Sequence, residues 1–184
     1  MPFILSDIAD VNQHVFRLKT DKGAYKPDHC IHCNASRLWC HGTYVRKTEC
    51  EVEGSPSCSI PIPRFFCPTC ERTCSTLPEF IAPRRWYHWA TQQLALLWLI
   101  AGATLLDTWS SLFDRPPRGP SQTTIQSWHQ QFQNDYDQHR FHLCSQFPDL
   151  GRNAQFTDFW QACLKKMPLA SAMAIVHRSN PANQ

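Results

Sequence analysis

Two short cysteine pairs, Cys30-Ile-His-Cys33 and Cys67-Pro-Thr-Cys70, constrain this chain more than any other feature in it. Two residues between two cysteines let one tight turn aim both sulfurs at a single point, and four such ligands satisfy a tetrahedral zinc ion. The stretch between the pairs predicts a β-hairpin. Its arms, Arg37–Thr48 and Ser57–Phe66, carry Trp39, Tyr44, Val45, Ile60, Ile62, Phe65 and Phe66, and they flank the turn signal Glu53-Gly54-Ser55-Pro56. Cysteine turns at both ends of one hairpin make a zinc ribbon, and a bound ion supplies folding free energy that so small a β-unit lacks. Pro61 and Pro63 alternate along the second arm. Proline has no backbone donor, so this arm reads as an edge strand with its proline side outward.

The pairs alone prove little, because ten cysteines scattered through 184 residues yield about half of one such pair by chance. Their placement at the two ends of a hairpin is the stronger argument. A redox dithiol or unrelated free thiols are the competing readings; the redox one lacks a surrounding βαβ pattern. A zinc deaminase needs His-x-Glu ahead of its cysteine pair, and the chain contains none. Cys40, Cys50, Cys58 and Cys74 are either small strand residues or, with His41, a second site across the hairpin. His29 and His32 either replace a thiolate or stand as exposed neighbours. Cysteine density is below that of disulfide scaffolds, which points to reduced thiols and a cytoplasmic protein.

Beyond the hairpin the period changes. Trp86, Trp89, Leu94, Leu97, Trp98, Ile100 and Ala101 recur at helical spacing, and Gly102 suits a helix end. A second helix fits Thr104–Phe113 and must stop at the prolines of residues 114–120. A third starts near Ser121, with Thr123-Thr-Ile-Gln126 as a capping box and Ile125, Trp128, Phe132 and Tyr136 as its apolar stripe. This is the outline of a helix-turn-helix. Phe156, Phe159, Trp160 and Cys163, followed by Ala170–Val176, form a further apolar stretch that docks on the helical region. The expected fold class is therefore α+β: a small zinc-ribbon β-hairpin domain followed by an all-α helix-turn-helix region. The expected division is an N-terminal extension over 1–28, the ribbon over 29–85, the helix-turn-helix region over 86–147 and a helical tail over 148–184.

Composition narrows the function class. The longest apolar run, Leu94 to Leu106, is shorter than the ~20 residues a bilayer span needs, and the first residues lack the form of a secretory signal. Net charge is only +3, so bulk charge does not select a partner. Local clusters do more. Arg84, Arg85, Arg115 and Arg118 flank helix ends and suit phosphates. The third helix carries Gln122, Thr123, Gln126, Ser127 and Gln130 on its polar face, and glutamine can pair with the N6 and N7 edge of adenine in the major groove. The bland reading is a solvated face with ordinary loop arginines. No nucleophile or acid–base set can be assembled, so no enzyme activity is expected.

From His41 to Arg84 the pattern His41-Gly42-Thr-Tyr44-Val-Arg46, Ile60-Pro-Ile62-Pro-Arg64-Phe65-Phe-Cys67-Pro-Thr-Cys70 and Arg72-Thr73-Cys74-Ser75-Thr-Leu77-Pro78-Glu-Phe80-Ile81-Ala-Pro83 resembles the amino-terminal zinc-ribbon region of bacterial insertion-sequence transposases and related mobile-element proteins. With Cys30 and Cys33 the resemblance covers roughly a third of the chain. It implies that Cys30, Cys33, Cys67 and Cys70 hold zinc and that a helix-turn-helix follows. Cys74 departs from it, standing where relatives carry an aromatic residue. A transposase also needs a nuclease core of carboxylates holding metal ions, yet the last glutamate here is Glu79. The expectation is a non-catalytic protein that binds double-stranded DNA, with a separate transposase or nuclease subunit as a further candidate partner and oligomerisation open. The alternative is a zinc-ribbon adaptor that grips a protein partner without touching DNA.

Overall fold

The computed structural model describes residues 2–6, 8–48, 58–83, 86–113 and 119–179, without the side chains of residues 58, 112, 113 and 179. Cys50, Arg84, Arg85, Arg115 and Arg118 lie outside the described residues. The architecture is α+β, a four-stranded sheet followed by a set of helices. The chain divides into two compact units, one running to Trp86 and taking in the chain from His177, the other Tyr87–Val176.

In the first unit β2 (Trp39–Thr48) and β3 (Cys58–Cys67) form the expected antiparallel hairpin, with a register irregularity between Cys40 and Thr43. Two further strands extend it. β4 (Arg72–Pro78) pairs antiparallel with β3, and β1 (Phe3–Leu5) pairs parallel with β4, giving the order β1-β4-β3-β2. The lead also forms α1 (Val11–Thr20), started by Asp10, whose carboxylate accepts from the Gln13 amide at 2.8 Å. The core beneath the sheet contains Ile8, Tyr25, Leu38, Ile60, Ile62, Phe65, Leu77 and Ile81. Burying each aliphatic side chain of this kind is worth about 1.5–3 kcal/mol.

The expectation for the proline arm needs correction. β3 lies inside the sheet, and Pro63 is buried, not turned outward. The physical reason is visible in the register. Pairing with β2 runs through Pro61 and Pro63, whereas pairing with β4 stops at Arg64, beside the first proline met from that end. The donorless sides therefore face the gap left where β4 departs toward β1. His14 of α1 fills part of that gap: its Nε2 lies 2.8 Å from the Pro61 carbonyl and its Nδ1 2.7 Å from the Tyr25 hydroxyl. A carbonyl only accepts, so Nε2 carries the proton and Tyr25 donates to Nδ1.

The second unit is helical. α2 (Trp89–Ile100) ends at Gly102, whose φ of +92° and whose neighbours' bonds (Gly102 N–H to the Leu99 carbonyl, Ala103 N–H to the Trp98 carbonyl, both 3.1 Å) make a Schellman stop. α3 (Leu105–Phe113) is capped reciprocally by Thr104 and Asp107. α4 (Gln122–Asn134) is capped by Ser121, whose hydroxyl accepts from the Thr124 amide at 3.2 Å; the box read at Thr123–Gln126 is displaced by this earlier cap. Ala95, Ile125 and Trp128 join α2 and α4 in one cluster, with Leu105 and Trp109 of α3 against it. The stripe ends at Phe132, and Tyr136 instead begins α5 (Tyr136–Gln146). α6 (Phe156–Lys166) lays Trp160 against Phe132 with ring centroids 5.3 Å apart, as its apolar stripe leads one to expect. α7 (Leu169–Ser179) is tied to α2 where the Leu169 amide donates to Gln93 at 2.6 Å.

Candidate metal centre

Each cysteine pair sits on a turn of the same design. In the first, the Cys30 amide donates to the Ala35 carbonyl and the Asn34 amide to the Cys30 carbonyl, both at 2.8 Å. Asn34 then takes a left-handed φ of 59°, and Glu71 takes the equivalent φ of 55° directly after Cys70. That reversal costs a non-glycine residue about 1 kcal/mol or more, and asparagine bears it more readily than most. Its yield is a set of amides aimed at sulfur. The His32 amide donates to Cys30 Sγ at 3.4 Å, and the amides of Ala35 and Arg72 donate to Cys33 and Cys70. Cys67 receives amides from both Thr69 and Cys70.

The sheet brings the two turns together. β3 ends at Cys67, and the hairpin returns the chain from β2 so that the first turn faces the second. All four sulfurs lie within 4.8 Å of one another, with Cys30 to Cys70 at 3.7 Å and Cys33 to Cys67 at 3.6 Å. Those separations are far beyond the ~2.05 Å of a disulfide, so four free thiols converge here. Cys30 and Cys67 are buried, Cys70 is half-buried and Cys33 faces solvent.

Electrostatics prepare the cluster for a cation. Burial opposes ionisation of Cys67, but the amides of Cys70 and Thr69 and then the thiols of Cys33 and Cys30 outweigh it and hold its thiol at about 6. Burial and then the neighbouring sulfurs push Cys70 up to about 12. One thiolate thus forms readily, while the thiols of Cys33 and Cys70 are held up. A bound cation favours the thiolate form. The arrangement could hold a metal ion.

Other sequence candidates fall elsewhere. His29 and His32 are exposed and outside the cluster. Cys74 is buried in β4 and Cys40 is exposed in β2; among the described residues neither joins a second metal-ligating group. Burial, reinforced by the charge of Cys30 and Cys67, pushes the Cys74 thiol up to about 11, which makes it a poor ligand in its own right. On α4, Gln122, Thr123, Gln126, Ser127 and Gln130 are all exposed, while Ile125, Trp128 and Phe132 are buried beneath them. The sequence reading did not single out Asn34 and Glu71. The available signal was a turn-tolerant asparagine immediately after the first pair.

Residues 30–100 match the family model described as Domain of unknown function (DUF6431). The matched stretch begins at the first cysteine ligand candidate and ends at the last residue of α2. No curated protein and no solved structure matches the chain. Among the described residues, no helix is long and apolar enough to cross a membrane.

Proposed function

We propose that this chain is a non-catalytic, zinc-dependent DNA-binding protein of mobile-element type, in which four thiolates hold one structural zinc and α4 meets duplex DNA. Support for zinc is metrical and chemical. A tetrahedral ion with Zn–S bonds of ~2.3 Å sets its sulfurs about 3.8 Å apart. The measured separations of 3.6 and 3.7 Å need almost no adjustment to meet it. An all-thiolate tetrahedron selects zinc or iron over oxygen-loving cations.

The observation that carries the DNA reading is the face of α4. Gln122, Thr123, Gln126, Ser127 and Gln130 are exposed on a helix anchored from behind by Ile125, Trp128 and Phe132. α2, α3 and α4 pack on one another, and this packing supports a reading in which α4 is held rigidly from behind while its polar face stays free. Glutamines at that position suit adenine edges. The resemblance to the ribbon region of insertion-sequence transposases points the same way. A second reading, a protein-binding adaptor, draws on Leu94 and Trp98, one turn apart on α2 and 48% and 40% exposed.

Fluorescence anisotropy of the metal-loaded chain with arbitrary duplex DNA, titrated with salt, tests the proposal. The logarithm of the affinity falls linearly with log salt if phosphates are contacted. Gln126→Ala with Gln130→Ala leaves that slope intact and removes preference for selected sites. Absence of binding at low salt refutes the DNA reading and leaves the adaptor.

A further inference from the structure

The hairpin carries a second surface of distinct chemistry. Cross-strand partners share a sheet face, so the register sets Trp39, Phe66 and Thr73 in one row across β2, β3 and β4, with Arg64 and Ser75 in the next. Tyr44, opposite Ile62, packs against the margin of the core, and the Arg64 guanidinium sits 4.9 Å over its ring. Trp39 and His41 both approach Phe66, with ring centroids 6.1 and 5.9 Å away, and the Arg37 guanidinium stands 5.4 Å over Trp39. Trp39 is nonetheless 49% exposed. Through Thr73 the row continues into a groove of about 520 Å³ lined by Tyr44, Arg46, Lys47, Ser75 and Trp86, with no carboxylate among its lining residues. Arg46 is held there by its bond to the Ala82 carbonyl at 2.7 Å.

Exposed aromatic rings set beside arginines match the face of an unpaired base and the phosphates on either side of it. A duplex hides its base faces in the stack, so a flat sheet reaches them only in a single strand. Charge is complementary too: Arg37 and Arg64 stand over the rings, and Arg46 and Lys47 line the groove. We infer that this face of the sheet binds single-stranded nucleic acid, with Trp39 and Phe66 stacking on unpaired bases and Arg37 and Arg64 on the backbone. The inference is independent of the duplex contact assigned to α4.

The test uses the full metal-loaded chain and a fluorescein-labelled oligothymidylate about 12 nucleotides long, read by anisotropy. The expected result is saturable binding, weakened roughly five- to a hundred-fold by Trp39→Ala and by Phe66→Ala, with duplex affinity unchanged. Arg37→Gln, at an exposed position that leaves every ring in place, lowers the salt slope by about 0.7. It keeps the test informative should a ring variant fail to fold. Binding of duplex alone, single-strand affinity indifferent to all three substitutions, or binding of neither nucleic acid overturns the inference; the last leaves the face to a protein partner.

Discussion

His14→Phe removes a side chain that ties α1 to the proline gap in β3. The ring is fully buried, and its two nitrogens meet the Pro61 carbonyl at 2.8 Å and the Tyr25 hydroxyl at 2.7 Å. Phenylalanine keeps the aromatic shape and loses both bonds. Tyr25 keeps an outlet, since its hydroxyl also lies 3.3 Å from the residue 14 carbonyl, so its loss is about 0.5–1 kcal/mol. The Pro61 carbonyl loses its imidazole donor, and stranding a partly buried acceptor costs about 1–3 kcal/mol. The sum, about 1.5–4 kcal/mol, lowers the melting temperature of the first unit by roughly 6 °C or more. The effect depends on pH. Burial, partly opposed by the bond to Pro61, holds the His14 pKa below its ordinary value of 6.5. The unfolded chain then takes up a proton that the folded one refuses, so this contribution is complete above about pH 6.5 and fades as pH falls through the lower folded value. Calorimetry of the metal-loaded protein at pH 7.5 and 5.5, compared with the variant, isolates the His14 share from metal loss and from other histidines. A His14→Phe protein within about 0.5 kcal/mol of the parent at pH 7.5 refutes the reasoning.

Cys67→Ser removes a buried thiol held at about 6, and metal stoichiometry together with far-UV circular dichroism should show the ion lost and the sheet unfolded; full metal content would contradict this. Trp128→Ala opens a cavity between α2 and α4 and should cost about 3–5 kcal/mol in chemical denaturation of the helical unit, leaving metal content unchanged. Ser121→Ala removes the α4 cap and should cost about 1 kcal/mol in the same assay. At Glu71, φ is 55°, so Glu71→Gly is tolerated and Glu71→Val weakens metal retention in a chelator competition.

Much of the metal centre was legible because its determinants are local. Cys-x-x-Cys forces a turn, and the antiparallel pairing of β2 with β3 brings Cys30, Cys33, Cys67 and Cys70 into reach, while the turn signal Glu53–Pro56 lies outside the described residues. The helical stripe of Ile125, Trp128 and Phe132 was equally plain, since each helix buries one face. What escaped depends on distant partners. β1 finds Thr76, Leu77 and Pro78 of β4 across most of the first unit, and no local pattern announces a three-residue parallel strand. Pro61 and Pro63 read as an edge from one partner strand alone; pairing of β4 with β3 ends at Arg64, and a histidine distant in sequence bonds the Pro61 carbonyl, which no local pattern announces. The cap of α4 was misread because Ser121 and Thr123 both suit the role, and only the start of the helix chooses between them.

Native mass spectrometry of the purified chain tests the central claim most directly, because it weighs metal and thiol protons together. The account predicts one zinc ion per chain and no disulfide, with the ion lost together with far-UV sheet signal on chelation. A metal-free folded chain, or one lighter by the hydrogens of paired cysteines, would contradict it.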